Sequence, residues 1–202
     1  MKCFSRDMIV QTPAGYRRMD ELEIGDHVLS IDENMIQYSP VVMFLHKKED
    51  VEAEFYKVQL KNGEFIELTE DHLIYKTDCE RRGKLELVYA KDLKAGMCLD
   101  FSKDHKMSLQ RDEIVTIEKV RNTGIYAPLT ATGDIFVNNI LASCHTNYAV
   151  KSLQQTFFAV YRMVKGRYDS LFEKPLIQES DMPYGAEYLS SVLDLFVPKN
   201  LF

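Results

Sequence analysis

Apolar residues in the first two thirds of the chain come in short runs with polar residues interleaved. Such runs cover residues 8–10, 27–31, 41–45, 55–60, 65–68, 73–75 and 114–117. Period-two alternation of this kind predicts half-buried strands. Turn signals separate the runs, among them Pro13-Ala14-Gly15, Lys61-Asn62-Gly63 and Thr132-Gly133-Asp134. Asn62-Gly63 between two alternating runs predicts a hairpin, because both residue types accept left-handed turn positions. Many short strands with regular turns predict a mainly β domain.

The pattern repeats. Glu21-Leu22-Glu23-Ile24-Gly25 resembles Asp92-Leu93-Lys94-Ala95-Gly96 at an offset of 71, and Asn62-Gly63-Glu64-Phe65-Ile66 resembles Thr132-Gly133-Asp134-Ile135-Phe136 at an offset of 70. Two matches at nearly one offset predict a duplicated β-unit with pseudo-two-fold symmetry. The competing reading is a pair of unrelated surface turns.

Beyond Cys144 the period changes. Residues 148–164 put Val150, Leu153, Phe157, Val160 and Val164 on one helical face, and Gly166 ends the pattern. A second amphipathic stretch carries Tyr184, Tyr188, Val192 and Leu195, and Pro198 stops it. The expected organisation is a β domain over 1–145 and a small helical region over 146–202.

Composition narrows the function. The chain has 202 residues, 46% of them hydrophobic, enough for one domain with a core and a small appendage. Its net charge is −6, with no basic stripe, so nucleic acid is excluded as a partner. No apolar run has the length of a membrane-spanning helix. Met1-Lys2-Cys3-Phe4 leads directly into strand-like sequence with no signal peptide, which fits a cytosolic protein or an internal piece of a longer precursor. The four cysteines, Cys3, Cys79, Cys98 and Cys144, show neither metal-site spacing nor a disulfide-scaffold density. No metal and no cofactor is expected. Cys79 and Cys98 match no motif and are read as structural or free.

One polar cluster stands out. Thr69-Glu70-Asp71-His72 interrupts two strand-like runs. It is either ordinary turn chemistry or half of an active site, and Cys3 bears on the choice. The chain order is Cys3-Phe4, then E-L-x-x-G-D-x-V-L over 21–29, T-x-x-H-L over 69–73, and V-N-x-x-x-A-S-C over 137–144. Gly124-Ile125-Tyr126-Ala127-Pro128-Leu129-Thr130 resembles the G-V-V-A-P-L-T segment of hedgehog proteins. Together these segments resemble the hedgehog C-terminal autoprocessing domain, a member of the Hint class shared with inteins. The likeness covers nearly the whole chain. His145 and the divergence elsewhere resemble the nematode hedgehog-related proteins more than the vertebrate ones.

The resemblance implies a Hint fold of two pseudo-symmetric β-units followed by a small α-helical tail. It implies that Cys3 attacks the Lys2 carbonyl in an N-to-S acyl shift, with proximity built into the chain. His72 would protonate the departing amine, and Thr69 would hydrogen-bond and distort the scissile amide. A lipid alcohol, a sterol such as cholesterol in hedgehog proteins, would then resolve the thioester and leave an esterified upstream module. His46 stands where the family carries the Asp that activates the sterol hydroxyl. It is read either as that base or as a solvated strand end before Lys47-Lys48. Cys144 is read as a neighbour of Cys3 or as a buried structural cysteine. Lys2 stands where the family usually has Gly. In the tail, Phe157, Phe158, Tyr161, Tyr188 and Phe196 are candidate lipid contacts or simple packing residues. The implied partners are a lipid alcohol, a covalently attached N-terminal module and a membrane surface. Processing would take place in the secretory pathway, as part of a secreted precursor. Protein splicing is disfavoured, because Asn138-Asn139 is followed by Ile140 and not by a nucleophile. An inactive lipid-binding module is the remaining alternative.

Overall fold

The computed structural model describes residues 2–32, 35–79, 85–103 and 108–144. The tail residues singled out above, Phe157, Phe158, Tyr161, Tyr188 and Phe196, lie outside the described residues, as does the 146–202 region. Among the described residues the first half contributes strands β1 (Phe4–Ser5), β2 (Ile9–Thr12), β3 (Gly15–Arg18), β4 (His27–Asp32), β5 (Met35–Leu60) and β6 (Phe65–Leu68). The second contributes β7 (Leu73–Thr77), β8 (Glu86–Tyr89), β9 (Cys98–Phe101), β10 (Gln110–Thr130), β11 (Asp134–Val137) and β12 (Ile140–Ser143). They join in one hydrogen-bonded path, β3-β2-β11-β12-β7-β9-β10-β1-β6-β5-β4, with β8 on the flank of β7. The mainly β class read from the sequence is what the structure has.

The repeat is structural. Short 3-10 turns at Met19–Glu21 and Ala90–Asp92 stand 71 residues apart and enter equivalent bends. In the first, Asp26 N–H donates to the Glu23 carbonyl and Val41 N–H to the Asp26 carbonyl. In the second, Met97 N–H donates to the Lys94 carbonyl and Ile114 N–H to the Met97 carbonyl. Gly25 and Gly96 sit in each bend at φ of 98° and 88°. The Leu60–Gly63 turn and the Thr130–Gly133 turn match in the same way, each with the glycine N–H donating to the residue three before it. These are two pseudo-symmetric β-units, as the duplicated sequence pattern predicts.

The long strands depart from the sequence reading. Residues 41–45 and 55–60 were expected as separate strands, and 114–117 as a short one. They belong instead to the 26-residue β5 and the 21-residue β10, which pair antiparallel over most of their length. The polar stretch between the apolar runs has no buried face, but cross-strand partners hold it extended; Lys119 bonds Glu54 at 2.7 Å. Bulges bend the pair, and one of them requires Gly124. At φ of 90° a Cβ there would lie 2.9 Å from Arg6 Cβ and 3.3 Å from the Glu49 carbonyl.

The turn chemistry also differs in detail. At Asn62-Gly63 only Gly63 takes positive φ, whereas Asn138 and Asn139 both do, at 45° and 66°. With Val137 paired to Ile140 they form a two-residue hairpin loop of the mirror-image type. The core gathers inward-facing residues from both units, including Val10, Leu68, Ile74, Leu99, Leu129 and Ile140. Cys79 and Cys98, read as structural or free, form a disulfide. It joins the end of β7 to β9, where Thr77 already pairs with Cys98.

Candidate active site

Cys3 enters β1, a strand of two residues wedged between β10 and β6, with Phe4 opposite Tyr126 on one side and Leu68 on the other. Phe4 is fully buried and anchors the segment. Its ring lies 4.2 Å from the His72 imidazole, tilted by 53°. Cys3 and Phe4 are thereby fixed against the 69–72 turn that separates β6 from β7.

That turn closes on the backbone of Cys3. Cys3 N–H donates to Thr69 Oγ1 at 2.9 Å. In return, Thr69 N–H donates to the Cys3 carbonyl at 2.9 Å. His72 N–H bonds the Thr69 carbonyl, and the His72 carbonyl accepts from Ala90 N–H, so the loop is tied on both sides. Thr69 and His72 are both buried. The hydroxyl thus touches the nitrogen of the peptide bond between Lys2 and Cys3.

The His72 ring has a defined tautomer. Nε2 lies 3.0 Å from the Ser143 carbonyl, which can only accept, so Nε2 carries the hydrogen of the neutral ring. Nδ1 is then a bare lone pair, buried and without a hydrogen-bond partner. Burial pulls the ring's pKa from 6.5 to about 4, opposed by the Ser143 and Lys2 backbones, which would accept from the charged ring. With Nε2 held by Ser143, the Lys2 contact falls to Nδ1 once it is protonated. The Lys2 backbone also touches the Cys3 thiol. The Lys2–Cys3 peptide, the Cys3 thiol and the His72 imidazole therefore share one buried corner.

Cys3 is fully buried, with Phe55, Ile125 and Ala127 around it. Burial raises its thiol from 9.0 to about 12, against smaller charge effects that include Lys48. The resting group is a thiol.

The rows of the β1–β10–β5 ladder locate His46. One row holds Phe4, Tyr126 and Lys47, the next Ser5, Ile125 and Lys48. The preceding row pairs Ala127 with His46, and extending the β1 register by one residue sets Cys3 opposite Ala127. At ~4.8 Å per strand, the His46 backbone lies about 10 Å from that of Cys3. Directly opposed residues share a face, so His46 projects on the face that carries Ala127 and Cys3. It is half-buried.

Cys144 packs in the main core, not in the cluster around Cys3, and its Sγ lies 3.7 Å from Thr130 Oγ1. Both thiols are free. Cys144 follows Ser143, whose carbonyl holds His72, at the end of β12 where Ala142 pairs with Ile74. No sequence signal marks Ser143, because it acts through its backbone. Among the described residues no cluster of metal-ligating side chains occurs.

The match to a Hint module covers residues 1–198. The chain belongs to the Hint family. Among the relatives of this Hint chain, Warthog protein 6 of Caenorhabditis elegans is 48% identical over 201 residues, covering 99% of the chain and 34% of the relative. Indian hedgehog B protein of Danio rerio is 28% identical over 174 residues, covering 80% of the chain and 42% of the relative. The gp41-1 intein crystal structure superposes with a TM-score of 0.54 and 26% identity, covering 71% of the chain and 98% of the intein. The chain thus spans 34 to 40% of the length of the Warthog proteins 6, 8, 1 and 4 that it matches. With hedgehog relatives and intein-like structure together, this Hint domain falls in an autoprocessing class.

Proposed function

We propose that the domain cleaves its own precursor once, at the bond between Lys2 and Cys3, and transfers the upstream module to a lipid alcohol. The observation that carries the reading is the hydrogen bond from the Cys3 N–H to Thr69 Oγ1, with the bare His72 Nδ1 in the same corner. In the first step the Cys3 thiol gives its proton to His72 Nδ1 and the sulfur attacks the Lys2 carbonyl carbon. The C–N bond breaks as the imidazolium returns that proton to the Cys3 nitrogen. The products are a thioester on Cys3 Sγ and a free Cys3 amine. Depressed basicity suits His72 to the second half of this transfer, because a weakly basic imidazole releases its proton readily. Thr69 keeps the amide nitrogen aligned, so that the bond is presented in one geometry.

In the second step a lipid hydroxyl attacks the thioester carbonyl, its proton passing to His46, and Cys3 leaves as thiolate. The position of His46 on the face that carries Cys3, two strands away, supports this role. An imidazole is a competent base near neutral pH. A sterol is the acceptor class favoured by the hedgehog relatives, and Phe157, Phe158, Tyr161, Tyr188 and Phe196 are the side chains proposed to receive it. Cys144 is proposed to tune the thioester step through its neighbour Ser143. The Cys79–Cys98 disulfide supports maturation in an oxidising compartment, hence the secretory pathway.

The test is the intact mass of a reporter fused directly before Lys2, released in the presence of sterol vesicles, lipid-free buffer or dithiothreitol. Release by dithiothreitol in the parent and none in Cys3→Ala establishes thioester formation. A fragment heavier by one sterol, lost in His46→Ala, establishes the transfer and its base. A free carboxylate in every lipid condition assigns water as the acceptor and overturns the lipid step alone.

A further inference from the structure

The residue before the scissile bond is itself held. Lys2 is partly buried, and its Nζ lies 5.6 Å from the centroid of the Tyr89 ring. Lys91 Nζ lies 5.2 Å from the same ring. Lys91 also bonds Asp71 at 2.8 Å. Two ammonium groups on one ring repel each other, but Asp71 offsets Lys91 and also attracts Lys2. Both cation distances fall inside the ~6 Å range in which a ring face attracts a cation.

The parts of this pocket belong to the catalytic loop. Asp71 is the residue before His72. Tyr89 pairs with Leu73, the residue after it. Ala90 N–H and Lys91 N–H donate to the His72 and Glu70 carbonyls at 2.9 and 3.0 Å. The elements that aim Thr69 and His72 at the peptide bond also grip the side chain on its acyl side. A glycine before the nucleophile would offer nothing to grip.

We propose that Tyr89, flanked by Asp71 and Lys91, is a subsite for a long cationic side chain immediately before the scissile bond, and that it positions the Lys2 carbonyl for attack by Cys3. The proposal rests on the cleavage reading above and adds a specificity determinant to it. Tyr89 and Asp71 are positioning residues; the ring faces the Lys2 ammonium and the carboxylate attracts it, and neither acts on the reacting atoms.

The experiment measures dithiothreitol-induced release of a reporter fused before Lys2, in the full chain. Lys2→Gly and Tyr89→Leu each slow release by about three- to thirty-fold, the span of a surface to a desolvated cation–π contact. The double variant is no slower than either single one, and Tyr89→Phe keeps the parent rate. Equal rates in the parent and Lys2→Gly, or multiplying losses in the double variant, overturn the subsite. A second measurement needs no cleavage. In the Cys3→Ala chain the Lys2 ε-methylene protons are shifted upfield by the Tyr89 ring, and Tyr89→Leu removes the shift. Absence of that shift also overturns the proposal. A parent chain that releases nothing with dithiothreitol refutes the cleavage reading instead, and the proton shifts still decide whether the pocket holds Lys2.

Discussion

Mild acid should destabilise this domain through one residue, His72. The ring is buried and neutral, with its pKa brought from 6.5 down to about 4. Unfolding restores the ordinary value near 6.5, so between the two values the unfolded chain binds a proton that the folded chain refuses. The stability due to burying the neutral ring is therefore complete above pH 6.5 and is lost as pH falls towards 4. At 1.36 kcal/mol per unit, the full loss is about 3 kcal/mol, of which about 2 kcal/mol has appeared by pH 5. pH 5 is the better test point. Asp20 and Asp71 have pKa values lowered from 3.8 by their Arg and Lys partners, so they lose their stabilisation only in stronger acid. The assay is urea unfolding of the Cys3→Ala chain at pH 7 and pH 5, beside the same chain carrying His72→Gln. The parent should lose about 2 kcal/mol over that interval, and the His72→Gln chain should lose little. Equal losses in the two chains would refute the argument and place the acid sensitivity in other groups.

Replacing Thr69 by Val keeps the side-chain shape but removes the acceptor for the Cys3 N–H; dithiothreitol-induced release should fall about 10²–10³-fold, and Thr69→Ser should retain most of the rate. Removing the disulfide by Cys79→Ala with Cys98→Ala should lower the urea stability by about 3 kcal/mol, given a sequence separation of 19. Burial raises Cys3 and Cys144 from 9.0 to about 12, so iodoacetamide should alkylate both slowly at pH 8 in the folded chain. The rate measured by mass spectrometry should rise by up to about 10³-fold in urea, since the thiolate is the reactive form. Above pH 9 the same two shifts should make stability fall as pH rises, because the unfolded thiols ionise first.

The strand-like alternation, the turn glycines and the duplicated bends were all readable from the chain, because each is local. A bend that needs positive φ selects Gly25 and Gly96 whatever surrounds it. Period-two patterning marks a face wherever the face is buried. Residue type alone left T-x-x-H and Cys3 ambiguous; their order along the chain and its resemblance to the hedgehog autoprocessing domain singled them out as candidates. The continuity of β5 and β10 was not legible. Their charged middles carry no burial pattern and are held extended only by each other. Nor was the Cys79–Cys98 pairing, which requires β7 and β9 to be neighbours. The most consequential facts of the site belong to this second kind. Hydrogen bonding of the Ser143 carbonyl fixes the tautomer of His72, yet a backbone carbonyl has the same sequence signature everywhere. Tyr89 meets Lys2 from 87 positions away. Local propensity determined which residues were available to react. Long-range strand pairing decided which of them meet, because only closing the sheet brings chain-distant groups within hydrogen-bonding distance.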